Sequence, residues 1–183
     1  MSMHTHPAIS ATRNWLQSFI IAYDICPFAR RVHEQDRIRY ALVSGNDWEN
    51  LLTELIAECK LLDAEPETET TLLIFPDSLS RFDNYLDFLE IAQQLLIDQG
   101  YEGIYQLASF HPHYCFADSD ETDAANYTNR SPFPMLHIIR EASIEKALQY
   151  YPNPETIPQR NMELTRKLGL KKLRALLESC LAT

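Results

Sequence analysis

An α/β fold of the α+β sandwich type is expected from three observations. Short β-branched runs alternate with stretches of helical period, which is the pattern of strand–helix–strand units. One long connection, residues 107–140, has neither period through much of its middle. The chain has 183 residues, 45% of them apolar and 23% charged. A chain of that size buries roughly 70% of its unfolded surface and needs no disulfide staple.

The elements follow in order. Residues 9–23 read as a helix, because Trp15, Leu16, Phe19, Ile20 and Tyr23 share one face. Pro27 cannot continue it, so it ends near Ile25. Residues 37–43 form a candidate strand, broken at Ser44-Gly45-Asn46-Asp47. Asn46 with Glu49 makes a capping box for a helix running to about Leu62. Residues 63–69 are acidic, contain Pro66 and read as a solvated loop. Residues 70–75 are a short apolar run stopped by Pro76, which suits a buried strand. Ser80 and Asp83 open the next helix, and Gly100 closes it. Residues 103–110 are the third strand and residues 135–139 the fourth. A short helix over 143–151 ends at Pro152. Asn153-Pro154-Glu155 starts the last helical region, which Gly169 divides into 159–168 and 170–181.

This order predicts a βαβαβ-loop-β core with a mixed sheet of three or four strands. Strands one to three share a direction, joined by helical crossovers. An antiparallel fourth strand resembles a ferredoxin-like plan, here with extra N- and C-terminal helices. One domain is expected over residues 1–183, with 1–8 flexible and 170–183 a helical extension. Ligands of open α/β sheets sit outside the carboxyl ends of the strands. Those ends are residues 44–47, Pro76-Asp77 and His111–His113. The direction of the fourth strand is left open; if it runs antiparallel, it begins at the same edge, near Pro134, and the long loop meets them there.

The formal net charge is −10. Nucleic acid and anionic membrane surfaces would repel such a chain, so neither is expected as a partner. No run approaches the roughly 20 apolar residues of a membrane span, and the N-terminus lacks a signal-peptide pattern. A cytoplasmic location with reduced thiols is expected; Cys26, Cys59, Cys115 and Cys180 show no paired spacing. Oligomeric state is left open.

Chemistry-bearing side chains concentrate in the loop and at Cys26. In His111-Pro112-His113 the proline stiffens the spacing of two imidazoles. With Cys26 they make a nitrogen–sulfur donor set suited to a transition metal; the alternative is a histidine that holds backbone carbonyls. Cys26 precedes Arg30, Arg31 and His33, and nearby positive charge favours thiolate. A Cys26 nucleophile with His111 or His137 as base fits covalent catalysis; the alternative is a small buried hydrophobe. Arg130 offers a planar fork for a small anionic molecule, with Asn126, Thr128 and Asn129 as neutral partners. The alternative is an arginine pinned to Asp118, Asp120 or Asp123. His137 lies in an apolar strand, where a histidine is more often a satisfied core group.

Four segments, CPFAR (26–30), ASFHPHYCFA (108–117), NYTNRSPFPMLHIIREAS (126–143) and P-x-x-IPQRN (154–161), resemble the bacterial family catalogued as DUF1415. The resemblance runs from Trp15 to Gly169 and implies no particular activity. The residues themselves favour a small-molecule enzyme using Cys26, His111 and Arg130. A non-catalytic metal-binding protein is the first rival. The second is an interaction module that uses loop 111–134, with Tyr114, Phe116, Tyr127 and Phe133 as anchors.

Overall fold

A computed structural model describes residues 6–182. Its four strands are β1 (Ile38–Leu42), β2 (Thr70–Ile74), β3 (Tyr105–Phe110) and β4 (Met135–Arg140). They form one mixed sheet in the order β1-β2-β4-β3. β1 and β2 pair in parallel, and β4 runs antiparallel to both β2 and β3. The first three strands therefore share a direction, as expected. β2 and β3 form a split βαβ unit with β4 between them, which is the ferredoxin-like element. The parallel β1–β2 pair at the edge and the overall strand order are not ferredoxin-like.

The sheet is covered on both faces. α3 (Trp48–Ala64) and α4 (Phe82–Asp98) cover one, burying Leu51, Leu55, Tyr85 and Phe88 against Leu73, Leu136 and Ile138. The other face carries Leu72, Ile74 and Met135 under the N-terminal helix and α7 (Leu170–Leu181). β2 lies between two strands and two helical layers, so all five of its residues are buried. A chain segment covered on every side reads as continuous apolar sequence rather than as an alternation.

The N-terminal helix begins earlier than expected. α1 spans Pro7–Trp15, with Ala8 buried, so these positions of the expected flexible segment are helical; residues 1–5 lie outside the described part. The winding then changes to π over Leu16–Ile21, with Ala22 N–H donating to the Gln17 carbonyl at 3.1 Å. Asp24 turns the chain out of the helix with φ +55°. A short α2 (Ala29–Glu34), unassigned in the sequence, follows Pro27. The α3 cap is Asp47 rather than Asn46: its carboxylate accepts the Asn50 N–H at 3.3 Å. The N-terminus of α4, expected to be capped by Ser80, starts after Arg81 without a side-chain cap. α5 (Glu141–Gln149), a 3-10 turn (Pro154–Thr156) and α6 (Ile157–Leu168) complete the chain before α7. α7 is more than an extension, since Leu173 and Cys180 are buried in the second core. Among the described residues no helix is long and apolar enough to cross a membrane.

Candidate functional site at the carboxyl edge of the sheet

The carboxyl ends of the parallel strands and the start of β4 meet at one edge. Phe75 N–H donates to the Pro134 carbonyl at 2.9 Å, and His111 N–H donates to the Asn129 carbonyl at 3.2 Å. The long loop therefore leaves β3 and re-enters β4 beside the turn that follows β2. Tyr85, from α4, ties the edge together. Its hydroxyl donates to the Met135 carbonyl at 2.8 Å and accepts the Phe110 N–H at 3.0 Å. The phenol is sealed between strands, and burial raises its pKa far above the ordinary tyrosine range.

His111 is wholly buried against Phe82 and Tyr85. Its Nδ1 accepts the His113 N–H at 3.0 Å. The proton must then sit on Nε2, which donates to the Leu79 carbonyl at 2.9 Å. Both nitrogens are thus used within the chain, and burial pushes the pKa down to about 4. The neutral ring is a pin that holds the turn after β2 against the start of the loop. Leu79 itself sits at φ +56°, a region that side chains other than glycine enter at a cost. Immediately before it, Ser78 is 6% exposed, and its hydroxyl has no hydrogen-bond partner. His113 and Asp77 stand exposed at the same edge, and the His113 ring lies 5.8 Å from that of His111.

The polar residues of the loop are spent on the loop itself. Asn126 accepts the Phe116 N–H at 3.1 Å and donates to the Asp120 carbonyl at 2.9 Å. Thr128 donates to the Ala125 carbonyl at 2.9 Å, and Asn129 to the Ser109 carbonyl at 3.0 Å. Arg130 donates from Nε to the Tyr114 carbonyl and from Nη2 to the Glu121 carbonyl, each at 3.0 Å. Its guanidinium also lies 4.8 Å from the centre of the Tyr127 ring. It is pinned to backbone oxygens, not to Asp118, Asp120 or Asp123. Asp123 instead meets Arg166 of α6 at 2.8 Å, which holds its carboxyl down at about 2. A cavity beside Arg130 has about 10 Å³, framed by Trp15, Phe19, Tyr127 and α7 leucines. That is room for one water molecule at most.

Cys26 and His137 lie on the other side of the sheet from His111. His137 points from β4 into the layer covered by the N-terminal helix, where it is half-buried. Thr70 gives its one proton to the Ile138 carbonyl at 2.5 Å. The 2.7 Å contact between Thr70 and His137 Nε2 therefore has the imidazole as donor. Burial pushes this histidine down to about 4 as well. Cys26 packs against the same layer, half-buried, and burial raises its pKa despite backbone N–H groups of Phe28 and Ala29. That favours the thiol over the thiolate. Iodoacetamide is expected to label Cys26 more slowly than an unhindered model thiol at pH 8. Site-resolved mass spectrometry would check this; labelling faster than the model thiol would show an activated cysteine.

The turn around Cys26 is gripped by α6. Asn161 donates to the Ile25 carbonyl at 2.7 Å, and Arg160 reaches the Asp24 carboxylate at 3.2 Å and also its carbonyl. The CPFAR and IPQRN segments thus meet each other, at a place separate from the sheet edge. No hydrogen bond, ring contact or ion pair joins Cys26, His111 and Arg130, and the Cys26, His111 and His113 donor set does not assemble. Among the described residues, no three histidine, cysteine or acidic side chains are grouped to hold a metal ion. None of Cys26, Cys59, Cys115 and Cys180 forms a disulfide. Ser78 and Tyr85 were not singled out in the sequence, where a serine after a strand and a tyrosine on a helix face carry no signature.

A family model described as a protein of unknown function (DUF1415) matches residues 7–175. The chain belongs to the DUF1415 family. The match takes in both sides of the molecule, from α1 through the sheet edge to α7, so the DUF1415 segments include the Cys26 turn, the loop and the α6 clamp alike. No curated protein and no solved structure matches the chain.

Proposed function

We propose that the carboxyl edge of the sheet binds a small polar molecule, with His113 as its acid–base group and Ser78 as a hydrogen-bonding partner. The observation that carries this reading is the buried Ser78 hydroxyl without a partner, next to a residue at positive φ. Buried polar groups are nearly always hydrogen-bonded, and strained backbone persists where something else requires it. The edge is also where open α/β sheets take their ligands. His113 is exposed, makes no side-chain hydrogen bond, and supplies an imidazole for proton transfer. In this reading His111, Tyr85, Asn129 and Arg130 are positioning residues that shape the edge. An anionic group on the ligand would meet the uncapped N-terminus of α4 and not Arg130. Cys26 and His137 stand outside the site. An interaction surface built on the loop aromatics has less support. Tyr127 is buried, Phe133 packs into the second core, and Tyr114 pairs with Phe82 and Phe116.

The test uses NMR titration with inorganic phosphate and with succinate. Amide shifts at Ser78, Leu79 and His113 are expected, and they should vanish in Ser78→Ala. That variant should also be more stable than the parent, by about 1 kcal/mol, because it removes an unpaired buried hydroxyl. Perturbation confined to other faces, or a destabilised Ser78→Ala that still binds, would rule the reading out.

A further inference from the structure

Away from the sheet edge, bases from three separate helices converge on the turn at residues 21–24. Arg30 of α2 donates from Nη2 to the Ile21 carbonyl at 3.2 Å. Arg160 of α6 reaches the Asp24 carboxylate at 3.2 Å and also the Asp24 carbonyl. The Asp24 N–H donates to the Ile21 carbonyl at 3.2 Å, so the two guanidinium groups hold the first and last residues of one hydrogen-bonded turn. Lys172 of α7 stands 5.6 Å from the centre of the ring of Tyr23, in the same turn.

The charge gathered here is positive in an acidic chain. With 26 acidic and 16 basic side chains, acids are plentiful enough to give every base a partner. At this turn only Arg160 has one, Asp24. Arg30, Arg31, Lys171 and Lys172 are exposed, and none of them forms an ion pair among the described residues. The one acid of α2, Glu34, pairs with neither arginine of that helix. Residues 170–177 hold Lys171, Lys172 and Arg174 and no acid. A purely structural arginine looks different: Arg140 fills its fork with the carbonyls of Leu62, Glu65 and Thr68. Arg30 gives one N–H to Ile21 and keeps the rest of its fork free. The Lys172 ammonium donates to no oxygen and only faces a ring.

We infer that the turn at residues 21–24 is a binding site for a multiply charged phosphate group. Arg30 supplies a planar fork for its oxygens, and Arg31, Lys171 and Lys172 supply charge. A single carboxylate engages one fork, whereas a phosphate with several charged oxygens draws on bases from α2 and α7 together. Arg160 is a positioning residue: it neutralises Asp24, the carboxylate that would otherwise repel the ligand. Local cations of this kind concentrate an anion even where the chain as a whole is negative.

Inorganic pyrophosphate is the probe, with chloride at equal ionic strength as control. NMR titration should give saturable shifts at Tyr23, Arg31, Lys171 and Lys172. Arg31 and Lys172 are exposed, so Arg31→Glu and Lys172→Glu should fold as the parent does, and each should weaken binding by about tenfold. Ser78→Ala should leave these shifts unchanged, because the sheet edge is a different place. The inference is overturned by shifts of equal size with chloride, by shifts confined to the sheet edge, or by undiminished affinity in both charge-reversed variants. Each of those results leaves the reading of the sheet edge to its own test.

Discussion

His111→Phe is expected to cost about 2–6 kcal/mol at pH 7, although it keeps a ring of similar size between Phe82 and Tyr85. The loss comes from the two groups that His111 satisfies, the Leu79 carbonyl and the His113 N–H. Each is left unpaired in a dry place, at about 1–3 kcal/mol apiece. The same residue makes the fold acid-sensitive. His111 has a pKa near 4 when folded and about 6.5 when unfolded. Between those values the unfolded chain binds the extra proton, so stability rises with pH and falls on acidification. The full contribution, about 3 kcal/mol, is present above pH 6.5 and is lost progressively as pH drops toward 4. His137 adds a change of the same sign. In His111→Phe this part of the pH dependence disappears, so the gap between variant and parent narrows with acid. Urea denaturation at several pH values reads both effects. A gap that stays constant from pH 7 to pH 4 would show that the imidazole is not held neutral.

The elements that were legible in the sequence are those in which one surface decides everything. α3 and α4 each bury a single face, and their periodicity marks them. β2 is covered from all sides and reads as an unbroken apolar run. The direction of β4 was not legible, because an apolar strand reads the same both ways; the sequence says only that an antiparallel β4 would start at the loop's edge, and that is the arrangement found. The π-wound segment Leu16–Ile21 was not legible, because one extra residue per turn leaves an apolar pattern that still looks helical. Cap identity was ambiguous between Asn46 and Asp47, which have the same chemistry one position apart.

The return of the long loop to the strand ends was legible; the partners of its side chains were not. Residue types announce donors and acceptors without naming their partners. Arg130 had three acidic side chains within reach in the sequence, yet its fork goes to the carbonyls of Tyr114 and Glu121. Asp123 instead takes Arg166, 43 positions away. An irregular loop has many backbone groups outside any ladder, and each must find a partner when buried. Asn126, Asn129 and Arg130 meet that need, which is why a polar-rich segment proves to be a scaffold. Ser78, whose buried hydroxyl has no partner, sits in a seven-residue link between β2 and α4 where the sequence offers only a turn.

Tyr85→Phe is the second large expected effect, about 2–4 kcal/mol, for the removal of a single oxygen. The Tyr85 hydroxyl accepts from Phe110, the last residue of β3, and donates to the carbonyl of Met135, the first residue of β4. Phe110 and Met135 are opposed in the β3–β4 register, so the tyrosine closes the last rung of that ladder from outside the sheet. With phenylalanine, one buried N–H and one buried carbonyl lose their partner together, and no water can replace the oxygen in a fully packed position. The damage should be local as well as global. Hydrogen exchange at Phe110 and at His111 should rise by more than the global loss predicts, since the loop's departure from β3 loses its clamp. A Tyr85→Phe protein whose exchange changes uniformly would mean that the hydroxyl adds stability without holding the edge. If the edge does loosen, the shifts induced by phosphate or succinate at Ser78 should weaken in parallel, although Tyr85 itself is too deeply buried to touch a ligand.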